Sequence, residues 1–167
     1  MIGASPVAEP LGVFDCAPLS DGAAAIVLGP LERARKFTDT PVRIRASQVA
    51  CDTMALQHRR DITTLDSTVI AAKRAFAQAR RAAKDVQIAE IHDAYTISGL
   101  LALEDLGFAP KGGAGPQLLE GQYAAGGRLP VNRSGGLKAQ GQPFGAVGVA
   151  QARRAAKDVQ IAEIHDA

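Results

Sequence analysis

The sequence predicts an α/β fold, and three observations predict it. Short runs alternate apolar with polar residues, as across residues 42–49. Other stretches space their apolar residues by three and four, as after Asp66. Gly and Pro punctuate the joints between the two patterns. Helical and extended periodicities thus follow one another along one chain, which calls for helices packed on a sheet.

Taken in order, residues 12–16 (GVFDC) read as a short strand. Residues 21–28 are small, end in Ile-Val-Leu and are bounded by Gly29-Pro30, so they read as a buried strand. The alternation of residues 42–49 gives a half-exposed strand. Thr64 or Asp66 can cap a helix in which Val69, Ala72, Phe76, Ala79 and Ala83 share one face. Asp85 leads into a strand, VQIAEI, whose C-terminal end presents His92 and Asp93. Thr96 starts a second helix, running from Ile97 to Leu106 and stopped by Gly107. Residues 109–136 are rich in Gly and Pro and read as a long loop ordered by its contacts. Residues 145–156 are helical again.

Residues 77–94, AQARRAAKDVQIAEIHDA, recur without a mismatch at 150–167. Solenoid repeats recur several times and drift, whereas this one occurs twice and has not drifted. It reads as a recent duplication, an engineered junction or an assembly error rather than a functional repeat. The expected organisation is one domain over 1–149 followed by the terminal copy.

At 167 residues, with 47% hydrophobic and 22% charged residues, the chain has the composition of an ordinary globular domain. Disordered, collagen-like and disulfide-scaffold classes are excluded. No apolar run approaches the roughly 20 residues of a membrane span. The N-terminus lacks the basic and apolar regions of a secretory signal. Cys16 and Cys51 form neither a disulfide framework nor a metal-ligand pattern, so a cytoplasmic, reducing setting is expected and no metal. The net charge is +2, with five Phe, two Tyr and no Trp, which supplies no aromatic platform for nucleic acid. Basic clusters at Arg33-Ala34-Arg35-Lys36 and His58-Arg59-Arg60 are either solvated faces or a rim attracting the phosphates of an anionic cofactor.

Three places could carry chemistry. In Glu90-Ile91-His92-Asp93-Ala94-Tyr95 a His and a Tyr meet at a strand–helix junction, where α/β proteins bind ligands. There His92 can orient a water or donate to a developing oxyanion, or simply be a hydrogen-bonded junction residue. Asn132, Ser134, Gly135, Gly136, Gly141 and Gly145 form a glycine-dense approach to a helix, where backbone can come close to a ligand. It has neither a Walker ending nor GxGxxG spacing. Finally, Ser20-Asp21-Gly22-Ala23-Ala24-Ala25 is a tight turn into very small residues, which implies close packing against another layer.

In this order, SDGAAAIVL, EIHDAYTISGLLALEDLGF and VNRSGGLKAQGQPFGAVGVAQ resemble the C-terminal half of a thiolase. They are most similar to the archaeal and sterol-carrier-protein branch, which has His-Asp where other thiolases have Asn-Glu. The resemblance covers roughly residues 8–151. It implies a layered αβα fold with a mixed sheet between helices, the usual last strands being replaced by the duplicated segment. It also implies acyl-CoA as substrate, carbon–carbon bond formation or cleavage beside the thioester, and no covalently bound cofactor.

The same resemblance makes His92 the residue that helps hold the thioester oxygen. Gln142, in Gly141-Gln142-Pro143, stands where the family has a His that activates a nucleophilic Cys. A Gln cannot take a proton near neutral pH. The family's nucleophile half and late Cys-x-Gly loop are not expected in this chain; Cys16 matches a structural turn and Cys51 no catalytic motif. His165 copies His92 but lacks the helix that should follow it. The chain alone is therefore expected to be inactive in acyl transfer. Some relatives without the Cys carry out retro-aldol cleavage with a Tyr, beside a zinc-ribbon/OB-fold partner. Tyr95 and Gln142 are compatible with that chemistry, although a packing role for Tyr95 is the plainer reading. A non-catalytic, CoA-thioester-binding subunit is the third reading. Ile97, Leu100, Leu101 and Leu103 give one helix so many apolar residues that a homo-oligomer, or association with an N-terminal half, is expected.

Overall fold

The computed structural model describes residues 4–151. The terminal copy, apart from Ala150 and Gln151, and with it His165, lies outside the described residues. A small antiparallel ribbon comes first: β1 (Pro6–Ala8) pairs with β2 (Leu11–Gly12). The strand expected over 12–16 is instead a 3-10 turn, Val13–Asp15, because the Asp15 carboxylate accepts from Gly12 N at 2.9 Å and closes the chain on itself.

Residues 20–30 and 41–53 belong to no helix and no ladder. The run expected to be a buried strand is exposed, with Val27 fully so and Leu28 at 68%. Apolar on both faces, it needs neighbouring strands, and no described residue pairs with it. Around 42–49, Val42, Ile44 and Val49 face outward, while Gln48 Nε2 reaches Gln78 Oε1 at 2.5 Å. Between these stretches lies a single helical turn, α1 (Leu31–Ala34).

The centre is built from α2 (Asp66–Ala79) and α3 (Thr96–Asp105). The N-cap of α2 is Leu65, without a side-chain cap, rather than Thr64 or Asp66. Asp61 organises the approach instead, accepting from Thr63 N at 2.9 Å and Thr64 Oγ1 at 2.7 Å, and Leu65 N donates to Asp105 at 2.8 Å. Asp66 pairs with Arg60 at 2.5 Å, so part of the second basic cluster is tied to the start of this helix.

The buried face of α2 is Ser67, Thr68, Ala71, Ala72 and Ala75, with Val69 outside it. Small side chains let the helix lie close to α3, a contact that bulkier Val69 would hold apart. Arg80 adopts the left-handed conformation and ends α2. Gly107, with φ +81°, ends α3 as expected. On α3, Ala102 and Leu103 are buried and Leu100 and Leu101 half-buried, leaving Ile97 exposed.

Within the expected loop, α4 (Ala114–Leu119) forms where Ala114 N meets Glu104 Oε1 at 3.2 Å. A main core gathers Ala72, Ile91, Leu103, Leu106, Phe108 and Leu129, and Phe76 meets Phe108 edge-on at 6.5 Å. A smaller cluster joins Ala94, Leu137 and Val147. The last elements are α5 (Gly136–Gln140) and a helical stretch over 147–151. No helix among the described residues is long and apolar enough to cross a membrane.

Candidate functional site

Residues 89–93 and 130–137, far apart in sequence, lie side by side. Ala89 N donates to Pro130 O at 3.0 Å, and Asn132 N returns a bond to Ala89 O at 2.8 Å. This single parallel bridge, Ala89 with Val131, is what remains of the strand expected over 86–91. Side chains take over from there. Ile91 N donates to Asn132 Oδ1 at 2.7 Å, which holds Asn132 in a left-handed conformation that Asn tolerates. Glu90, only 4% exposed, accepts from both Ser134 N (3.0 Å) and Ser134 Oγ. Gln140 Nε2 completes that group at 2.5 Å from Ser134 Oγ. Asp93 Oδ1 accepts from Leu137 N at 2.8 Å. From the other side, buried Gln151 donates to Ile91 O at 3.1 Å.

His92 therefore sits between two anchored neighbours, and its position is fixed by their bonds. Its Nε2 lies 3.4 Å from Nε2 of Gln142. Gln142 is itself held, its N–H donating to Pro18 O at 2.9 Å. Gly141, with φ +78°, packs so close to Ser20 that a Cβ would overlap the hydroxyl. The tight turn at Ser20 and the Gly-Gln-Pro segment are thus one contact. Ala17 N bonds to Ala94 O at 2.8 Å on the same side, and Lys138 Nζ donates to the carbonyls of Val13 and Cys16, both at 2.8 Å.

Of the residues singled out from the sequence, His92 and Gln142 meet, and Asn132, Ser134, Gly135 and Gly136 line the strap against 89–93. Gly141 backs Gln142, whereas Gly145 has open space where a side chain would be. Tyr95 is the N-cap of α3 and 49% exposed, with its backbone bridged to Cys16. Cys16 Sγ points to Gly12 O at 3.7 Å, and Cys51 is exposed. Glu90 and Asp93, to which the sequence reading assigns no role, hold the site together. A carboxylate inside the apolar run VQIAEI was the available signal, since a buried acid demands partners.

Chemically, a Gln amide beside an imidazole can donate to a carbonyl or water oxygen but cannot accept a proton. The pair can polarise or position an oxygen, and the Gln142 amide supplies no base for a thiol.

The sequence matches the family described as "Thiolase C-terminal domain-like" over residues 48–155. It is 50% identical to an acetyl-CoA acetyltransferase of Methanothermobacter thermautotrophicus across 152 residues, 91% of this chain and 40% of that protein. It is 36% identical to a 17-hydroxy-3-oxo-4-pregnene-20-carboxyl-CoA lyase of Mycobacterium tuberculosis, over 89% of this chain and 39% of that one. A solved structure titled "Ltp2-ChsH2(DUF35) aldolase" superposes with a TM-score of 0.77 at 26% identity, covering 95% of this chain and 42% of that chain. The chain thus spans about 40% of the length of the relatives it matches. With a family match across most of the described residues and the α/β arrangement shared with a solved relative, the chain belongs to the thiolase C-terminal domain-like family.

Proposed function

We propose that this chain is the C-terminal portion of an acyl-CoA C-acyltransferase, able to bind a CoA thioester and, alone, unable to turn it over. The observation that carries this is the His92–Gln142 pair: two fixed side chains suited to an oxygen, with an amide where a base is needed. Acyl transfer also requires a nucleophile, and neither Cys16 nor Cys51 is held as one. The exposed apolar side chains of Val27, Leu28, Phe37 and Met54 support a partner that covers them. An N-terminal half is that partner in this reading, forming a larger oligomer in the cytoplasm.

The test is calorimetric titration with acetyl-CoA alongside a thiolysis assay on acetoacetyl-CoA and CoA. Binding without turnover supports the reading; thiolysis by the purified chain, or no binding, overturns it.

A second reading, retro-aldol cleavage of an acyl-CoA side chain, is favoured by the exposure of Tyr95, three residues after His92. A zinc-ribbon/OB-fold protein would then be the companion. Lyase activity on a β-hydroxyacyl-CoA that survives in a Cys-free variant and disappears in Tyr95→Phe would select it. Binding with no chemistry in any reconstituted complex would leave the subunit a non-catalytic holder of CoA thioesters.

A further inference from the structure

The strap over 130–137 takes its bonds from residues 89, 90, 91 and 93. Each of these has a twin in the terminal copy: Ala162, Glu163, Ile164 and Asp166 stand in the same order, with His165 as the twin of His92. By sequence the copy therefore offers the same alanine N–H and carbonyl to Pro130 and Asn132. It offers the same carboxylates to Ser134 and Leu137 N, and the same isoleucine N–H to the Asn132 side chain. Ile161, Ala162 and Ile164 also repeat Ile88, Ala89 and Ile91, all of which are buried. One strap thus has two chemically equal claimants in one chain.

We propose that the terminal copy exchanges with residues 89–93 on the strap of its own chain, bringing in residues 162–166 and releasing His92 from Gln142. The chain enters the copy beside the strap, because buried Gln151 donates to Ile91 O at 3.1 Å. Eleven residues lead from Gln151 to Ala162, a reach of up to about 36 Å. Delivery from the same chain gives an effective concentration on the order of millimolar, far above that of a second chain at micromolar concentration. Residues 89–93 stay the principal occupant because they are joined to α2 and α3. Releasing them unseats the start of α3 and the bridge from Tyr95 to Cys16, and Tyr95 lies outside the repeated segment. The strap does not choose between the copies; these flanking contacts do.

The test is disulfide trapping in the full chain. Paired backbones lie about 4.8 Å apart, within the roughly 4.4–6.8 Å between Cα atoms that a disulfide spans. Ala89 pairs with Val131. Val131→Cys with Ala162→Cys, on a background of Cys16→Ser and Cys51→Ser, should therefore close a 131–162 disulfide within one chain. It should form about tenfold faster than with Ala156→Cys, whose twin Ala83 lies against Gly107 instead, and Glu163→Ala should slow it about fivefold. Equal rates at the two tail positions, no response to Glu163→Ala, or no disulfide in a folded chain overturns the exchange. A disulfide found only between two chains overturns it in favour of a swapped dimer. If Val131→Cys does not fold, amide hydrogen exchange decides. Glu163→Ala alone should slow exchange at the N–H groups of Ala89 and Ile91 about threefold and leave those of Asn132 and Leu137, which either copy satisfies, unchanged. No slowing, or an equal change at all four amides, overturns the proposal.

Discussion

Glu90 and Ser134 share a buried two-point contact in which one carboxylate accepts from both the backbone N–H and the hydroxyl of the same residue. Because Glu90 adjoins Ile91 and Ser134 adjoins the left-handed Gly135, this contact fixes the strap and the His92 segment together. Replacing Glu90 by Ala removes the acceptor and leaves two donors unsatisfied in a nearly dry place. About 3 kcal/mol of stability should be lost, with Glu90→Gln losing less than half of that, as read from urea unfolding midpoints.

Gly136 has φ +63°, and a Cβ there would overlap the Asp93 carboxylate. Gly136→Ala therefore combines left-handed strain with displacement of the acceptor for Leu137 N. A loss of about 2–3 kcal/mol is expected, against less than 0.5 kcal/mol for Gly145→Ala, where the space is open. Thermal unfolding of the two variants side by side checks the contrast.

Lys111 reaches the fully buried side chain of Asp105 at 2.5 Å and also donates to Thr63 O at 2.6 Å. Asp105 in turn accepts from Leu65 N, so the pair links the start of α2 to the end of α3. Lys111→Met should destabilise by about 2 kcal/mol, below the full cost of stranding a buried charge because Lys111 is itself 44% exposed. The double variant Lys111→Met/Asp105→Asn should recover part of that loss in a denaturant series.

Asp61 is held down to about pH 2 from the usual 3.8, first by the Thr64 hydroxyl and then by the N–H and hydroxyl of Thr63. A depressed carboxylate stabilises the fold above its unfolded value and loses that contribution as it takes up a proton. The stability difference between the protein and Asp61→Asn should thus be constant above about pH 5 and shrink as pH falls through 3.8 toward 2. Carboxyl-carbon NMR should place the Asp61 midpoint near 2; a midpoint near 4 would contradict the hydrogen-bond assignment.

His92 and Gln142, placed 3.4 Å apart, should act on a bound oxygen as a unit. Each of His92→Ala and Gln142→Ala should weaken acetyl-CoA binding about fivefold, and the double variant should weaken it by clearly less than the product. Independent, multiplicative losses would mean that the two side chains do not share a ligand.

Helix α3 is legible in the sequence to within a residue, because its periodicity and the Gly107 stop are local properties, whereas α2 ends at Ala79, four residues before the expected Ala83, where Arg80 turns left-handed. On α2 the expected face is inward at Ala72 and Phe76, which join the core, while Val69 is exposed and the buried face is wider, taking in Ser67, Thr68, Ala71 and Ala75. Strands fared worse. Residues 21–28 carry strand-like composition, but a strand exists only through pairing, and its partners are not among the described residues. At the site, His92, Gln142, Asn132 and Ser134 were legible as residue types in a familiar order. The acids that position them were not, since Glu90 and Asp93 acquire their roles only when residues 130–137 fold back beside them.

That strap also constrains how the gene can vary. Bonds from residues 89, 90, 91 and 93 reach partners between 130 and 137 in fixed order, so neither segment can change length by one codon without shifting every pairing after the lesion. Insertions between these segments, in turns such as 124–128, leave that order untouched. Viable length variants should accumulate there, and frame-preserving indels inside either segment should be purged.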